Sequence, residues 1–261
     1  MELQGKQSRP QPDDLVALLI DSGNTRLKWS TLTAAGLGEQ RAAGRAEWRR
    51  AGLIDDLQVG VSRVLVANVA GEQFAIDLGE AIRRATGIEP EFVAVTDFAG
   101  GLRHAYRDSR RLGVDRWLAM IGARGMHPGT VCVVDVGTAL TIDAVDPSGQ
   151  HLGGLITPGP DLMITSLLTG TGDLAAFSAA ASEYGAGLFA NDTREAIHKG
   201  AGHALGALVD RCMDALRGQG GLDPCLLMTG GAAGSVREFV RAPAVEVTDL
   251  VLRGLAVLAN D

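Results

Sequence analysis

Two rhythms of apolar and polar positions run along this chain. Short β-branched or leucine-rich runs stop at a polar turn, and longer stretches repeat their apolar residues every three or four positions. The first rhythm predicts strands at Leu15–Ile20, Arg26–Leu32, Arg63–Val69 and Glu91–Val95. The second predicts helices over Glu72–Thr86 and Val114–Arg124, with the charged stretch Glu39–Leu57 also helix-tolerant. The order then recurs. Thr130–Val136 and Leu140–Val145 form a hairpin, and Leu152–Thr157 is a third strand stopped by Pro158-Gly159-Pro160. Asp161–Leu168 opens a helix that Asp161 is placed to cap. Asn191–Leu216 is a long helix with Asn191 or Asp192 as N-cap and Gly218 as its stop. Pro224–Met228 is a buried strand, and Leu250–Leu258 a final helix. Strands alternating with helices in this way indicate an α/β protein with mixed sheets.

The two hairpins are written alike. Leu18-Leu19-Ile20-Asp21-Ser22-Gly23-Asn24-Thr25 matches Val133-Val134 leading into Asp135-Val136-Gly137-Thr138, with Asp21 and Asp135 about 114 residues apart. Repetition at half the chain length implies a duplicated domain with a cleft between its halves. At each tip a glycine leaves backbone N–H groups bare enough to approach phosphate, and each aspartate offers oxygen to a hydrated metal ion. A single such tip is equally well an Asx turn satisfying its own backbone. Two in matching contexts favour the functional reading.

Composition narrows the partners. The chain has 261 residues, is 46% apolar and carries a formal net charge of −7, which supports a sizeable core and disfavours a nucleic-acid partner. Cys132, Cys212 and Cys225 are an odd set without Cys-x-x-Cys spacing, so a cytoplasmic protein with core thiols is expected rather than a disulfide framework or zinc site. Met1 to Asp14 is polar and expected to be a disordered tail, and no apolar run is long enough to span a bilayer.

Other motifs carry chemistry of their own. Gly113-Val114-Asp115-Arg116 sets an acid and a guanidinium at a predicted helix start. Asp115 is there either a helix cap or a proton acceptor, and Arg116, approached through Tyr106, is able to clamp a carboxylate. Thr229-Gly230-Gly231 after a buried strand is a third glycine turn, suited to a nucleotide lying on bare backbone or simply to a tight βα turn. Gly170-x-Gly172-x-x-Ala175 follows a helical run rather than a strand and is not a dinucleotide fingerprint, and there is no Walker A loop. The five histidines lack ligand spacing and read as surface or partly buried residues. Trp29, Trp48 and Trp117 read as core or interface.

Taken together, Asp21–Lys28, Gly113–Arg116, Asp135–Thr141, Gly153–Gly159, Asn191–Thr193 and Thr229–Gly231 resemble the motifs of type III pantothenate kinase, also known as the Bvg accessory factor family, from about Leu15 to Leu258. The resemblance implies an actin/hexokinase/Hsp70-like fold of two ribonuclease-H-like halves, here divided as 15–127 and 128–261, in a homodimer with shared active sites. It implies ATP-dependent phosphorylation of pantothenate, with Mg2+ and a monovalent cation, K+ or NH4+. Asp21, Ser22, Gly23, Asn24, Thr25, Arg26, Leu27 and Lys28 would form the first phosphate loop, with Thr138, Gly230 and Gly231 also on ATP. Asp135 would bind the monovalent cation and Asp21 the Mg2+, directly or through water. Asp115 would accept the proton, and Tyr106, Gly113, Val114, Asp115, Arg116 and Thr193 would contact pantothenate, Thr193 from the partner subunit. The chain departs from the family in its N-terminal tail and in the Gly-, Ala- and Ser-rich stretch Leu168–Tyr184. Two alternatives are another phosphotransferase of the same fold and a non-catalytic regulator. Intact Asp21, Asp115 and Asp135 argue against the regulator.

Overall fold

The computed structural model describes residues 15–57, 61–170, 187–218 and 223–260. The expected tail and most of the Leu168–Tyr184 stretch, including Gly172 and Ala175, lie outside these residues. The first half contains β1 (Leu15–Ser22), β2 (Arg26–Thr33), β3 (Gly36–Leu37), β4 (Arg41–Gly44), α1 (Leu53–Leu57), β5 (Val64–Asn68), α2 (Glu72–Thr86) and β6 (Glu91–Phe92). A small hairpin of β7 (Phe98–Ala99) and β8 (Leu102–Arg103) leads to α3 (Val114–Met126). The second half contains β9 (Val131–Val136), β10 (Ala139–Val145), β11 (His151–Pro158), α4 (Pro160–Gly170), α5 (Thr193–Arg217), β12 (Cys225–Thr229), α6 (Ala233–Arg237), β13 (Ala244–Glu246) and α7 (Leu250–Asn260).

Both large sheets have one topology. The first runs β3-β2-β1-β5-β6, with β4 continuing the β3 edge along β2, and the second runs β11-β10-β9-β12-β13. In each, the first three strands are antiparallel and the last two join in parallel. The duplication read from Asp21 and Asp135 is thus a duplication of whole sheets.

Strand periodicity explains the layering. Leu18 and Ile20 of β1 face an outer core with α1 and α2, while Ala17 and Leu19 face inward. On β9, Cys132, Val134 and Val136 face a second outer core against α5 and α6, and Val131 and Val133 face inward. Sheets covered on both faces need continuous apolar strands, which is what β1, β5, β9 and β12 are. The inward faces share α3 and α7 between them. Trp117, Leu118, Met120 and Ile121 are buried there, each contributing about 2–3 kcal/mol of transfer free energy. The two helices cross at Gly122 and Gly254, where a Cβ would overlap the backbone of Leu250 and Leu118 respectively. The final helix therefore returns to wedge between the sheets, beside β1 and β5 of the first half.

Three local expectations are corrected. Glu39–Leu57 is not one helix but β4, a 3-10 turn at Trp48–Arg50 and the short α1. Asp161 does not cap α4. The helix begins at Pro160, whose fixed φ suits a first position, and Asp161 sits inside the first turn. His151 is fully buried rather than a surface residue. The cap of α5 is Asp192, whose side chain accepts from Glu195 N–H at 3.0 Å. Among the described residues no helix is long and apolar enough to cross a membrane.

Candidate active site

Strands β1 and β9 both point their C-terminal ends at one cleft of about 550 Å³ between the sheets. Asp21 and Asp135 stand at those ends, and Asp115 enters from the first turn of α3. The hairpin tips close above them. Gly23 N–H bonds Arg26 O at 3.0 Å, Gly137 N–H bonds Ala139 O at 2.9 Å, and the Thr25 and Thr138 hydroxyls meet across the cleft at 3.3 Å. Gly23, Asn24, Thr25, Arg26, Lys28, Thr138, Gly230 and Gly231 all line this space.

Glycine is required at two of these positions for identifiable reasons. Gly230 has φ +97°, and a Cβ there would overlap Val136 O and the Asp135 carboxylate. At Gly113 the backbone is ordinary, but a Cβ would crowd the Asp115 carboxylate, which folds back to accept the Arg116 N–H at 2.8 Å. Asp115 is no N-cap: Gly113 holds that position.

Electrostatics set these three acids apart from the others. Burial pushes the Asp21 carboxyl up to about 7, with Lys28 opposing and Asp135 and Asp115 adding to the rise. Burial likewise raises Asp135 to about 6, against Lys28 and helped by Asp115. Asp115 is raised too, since its burial outweighs the Arg116 N–H and the Arg116 charge. Lys28 is the antiparallel neighbour of Asp21 and also donates to Thr248 O at 3.2 Å, tying the first hairpin to the loop before α7.

Other expected site residues lie elsewhere. Ser22 is buried and donates to Asn68, and Leu27 is in the outer core, so neither side chain reaches the cleft. Arg116 turns inward. Its Nε and Nη2 donate to Asp143 at 2.8 and 2.6 Å, and its Nη1 donates to Tyr106 Oη at 2.8 Å. Tyr106, Gly113 and Val114 sit behind the Asp115 turn rather than on the cleft wall, and Thr193 is exposed at the start of α5. The cleft also includes Thr141, Asp161 and Thr165, which sequence reasoning missed as site residues. Thr141 was findable: it pairs with Asp135 in the β9–β10 ladder as Lys28 pairs with Asp21 in β1–β2.

A model of the type III pantothenate kinase family matches residues 17–215. The chain belongs to that family. The type III pantothenate kinase of Aromatoleum aromaticum is 37% identical over 245 residues, covering 94% of this chain and 98% of that one. The Nitrosococcus oceani enzyme of the same name is 35% identical over 262 residues, covering 94% of each. Among solved structures, component A of the (R)-2-hydroxyglutaryl-CoA dehydratase of Acidaminococcus fermentans superposes with a TM-score of 0.53 at 14% identity, over 94% of this chain and 96% of that chain. The activator of the 2-hydroxyisocaproyl-CoA dehydratase of Clostridium difficile gives 0.51 at 11%, over 93% of both. At such identities the likeness concerns the fold alone, and this type III pantothenate kinase family member has the actin/hexokinase/Hsp70-like fold its repeated sheets describe.

Proposed function

We propose that this chain transfers the γ-phosphoryl group of ATP to the terminal hydroxyl of pantothenate, giving 4'-phosphopantothenate, the first step of coenzyme A biosynthesis, in the cytoplasm. The observation that carries the reading is the convergence of two phosphate-type hairpin tips on three raised carboxylates in one cleft.

The donor set suits the cations a kinase of this family requires. Asp21 and Asp135 offer hard oxygen ligands whose burial and repulsion a cation relieves. Among the described residues no three His, Cys, Asp or Glu side chains form a metal-holding group. That fits Mg2+, which is commonly held by one or two carboxylates, water and substrate phosphates. Asp21 would hold Mg2+, directly or through water, and Asp135 would hold K+ or NH4+. Held there, the cations would neutralise charge on the phosphates.

The chain's own residues do the rest. N–H groups at the tips other than the paired ones of Gly23 and Gly137, with Thr25, Thr138, Lys28 and the Gly230-Gly231 backbone, bind and align the phosphates. Asp115 orients the acceptor hydroxyl and takes its proton late, and its raised pKa brings it closer to that task than an ordinary aspartate. Tyr106 and Gly113–Arg116 form the acceptor side, completed by Thr193 of the partner subunit in a homodimer. The dimer reading draws support from edge strand β11 and α4, where Leu152, Leu155, Ile156 and Leu162 are all exposed. The division at residue 128 belongs to the same proposal.

The test is an ATP-plus-pantothenate turnover assay with and without K+. Phosphopantothenate formation that needs K+ or NH4+ is expected. Absence of product under all conditions refutes the reading, while equal rates in Na+ and K+ remove the cation assignment alone.

A further inference from the structure

Behind the Asp115 turn lies a buried polar chain that the phosphate chemistry leaves unused. Asp143 on β10 is 2% exposed and accepts three hydrogen bonds, two from Arg116 and one from His151 Nε2 at 3.0 Å. The His151 tautomer is fixed by the backbone. Ala105 N–H donates to His151 Nδ1 at 3.3 Å, so Nε2 carries the proton and donates to Asp143. The Tyr106 ring lies nearly parallel to the His151 ring at 6.1 Å, and its hydroxyl accepts from Arg116. Four segments are thereby locked together: the 105–106 loop, the start of α3, β10 and β11.

Desolvating an ion pair is expensive, and a buried pair is poor evidence of stability in itself. The fold nevertheless makes room for this one. Gly154 on β11 sits directly opposite Asp143 in the ladder, and a Cβ there would overlap the Asp143 carboxylate, Arg116 Nη2 and the Ile142 carbonyl oxygen. The phosphate side is built differently. The tips at 23–26 and 137–138 make none of these hydrogen bonds, whereas Arg116 adjoins Asp115 in the chain and its N–H holds the Asp115 carboxylate.

Resting on the pantothenate kinase reading above, we infer that Asp143 and His151 are positioning residues for the acceptor. They hold Arg116 and Tyr106 in the orientation that receives it, and Gly154 provides the space. Neither Asp143 nor His151 touches the reacting atoms. Loss of the anchor lets the guanidinium and phenol swing, and displacements near 1 Å at a positioned group cost about 10–100-fold. That loss falls on the acceptor and spares ATP.

The experiment is steady-state kinetics with pantothenate and ATP varied separately, on wild type, Asp143→Asn, Gly154→Ala, His151→Leu and His151→Gln, each checked by thermal melting. Asp143→Asn, Gly154→Ala and His151→Leu are expected to raise the pantothenate KM about ten-fold or more while the ATP KM stays within about two-fold. His151→Gln keeps an N–H donor toward Asp143 and should recover most of the loss. Folded variants with unchanged pantothenate KM, or with both KM values rising together, overturn the inference. So does a His151→Gln protein no better than His151→Leu. If Asp143→Asn does not fold, Gly154→Ala and the His151 pair decide by the same criteria. A wild-type protein inactive on pantothenate refutes the kinase reading, and the inference falls with it.

Discussion

Replacing Asp21 by asparagine should stabilise the cation-free protein while abolishing its activity. The folded protein raises this carboxyl from 3.8 to about 7, chiefly by burial. A group whose folded pKa lies above its unfolded value keeps extra protons in the folded state between the two. Stability therefore falls as pH rises from about 4 to about 7 and is level beyond. A shift of about three units corresponds to a ceiling of about 4 kcal/mol above pH 7. Asp21 keeps part of its surface on the cleft, where water screens the charge, so about half of that, near 2 kcal/mol, is the expected cost. Asparagine preserves the shape without the charge.

The assay is thermal melting with a chelator in Na+ buffer. At about pH 8 the variant should melt about 4–8 °C above wild type, and at about pH 5.5 the advantage should shrink to about half. Adding Mg2+ and ATP should stabilise wild type and leave the variant little changed, because only a competent site gains from ligand. A folded variant less stable than wild type at pH 8, or an advantage independent of pH, would refute the argument that the carboxylate is held against its preference.

Asp115→Asn should fold and lose about a hundred-fold or more in turnover, measured as phosphopantothenate formed per enzyme; near-normal turnover would reduce Asp115 to a structural residue. Co-refolding Asp115→Asn with Thr193→Val should restore about a quarter of wild-type activity if the two residues meet across a two-fold dimer, and tagged heterodimers that stay inactive would exclude this. Asp210→Ala should lower stability by about 2–3 kcal/mol, because the backbone N–H groups of Arg241 and Ala242, both bonded to this carboxylate, lose their acceptor. Burial alone would raise the Asp210 carboxyl, but Arg241 and those N–H groups outweigh it and hold it low. Its contribution is thus present at neutral pH and lost as pH falls below about 4, so calorimetry should find the gap closing there.

The sequence was most legible where local rules suffice. The α2 boundaries, Glu72–Thr86, match the spacing of its apolar face, and Asp192 caps α5 where an N-cap side chain was expected. All three tryptophans lie in the cores. Short elements escaped: β4 and the β7–β8 hairpin are two to four residues long and mostly exposed, too brief to establish a period, and of the strand expected at Glu91–Val95 only Glu91–Phe92 forms. The return of α7 to the first half was equally invisible, because an apolar helix says only that it is buried and not against what. For the same reason nothing in the sequence joined Asp143 to His151, which read as a surface or partly buried histidine. Arg116 is 27 residues from Asp143, and the β10–β11 hairpin folds His151 back onto Asp143.

The duplication explains the cleft, and the differences between its copies explain why one hairpin alone does not mark a site. Both copies keep an aspartate at the end of the first strand and a glycine after it, but the residue across the ladder is Lys28 in one and Thr141 in the other. The first copy's ammonium lowers both carboxylates, so a single lysine serves the pair. The second copy supplies a hydroxyl instead, and Asp135 lies beside the bare Gly230 backbone. The first tip is also one residue longer between its paired strands, which carries Thr25 across to Thr138. Shared topology sets both aspartates on one cleft, and the unequal residues across the ladder, Lys28 and Thr141, make its two sides electrostatically different.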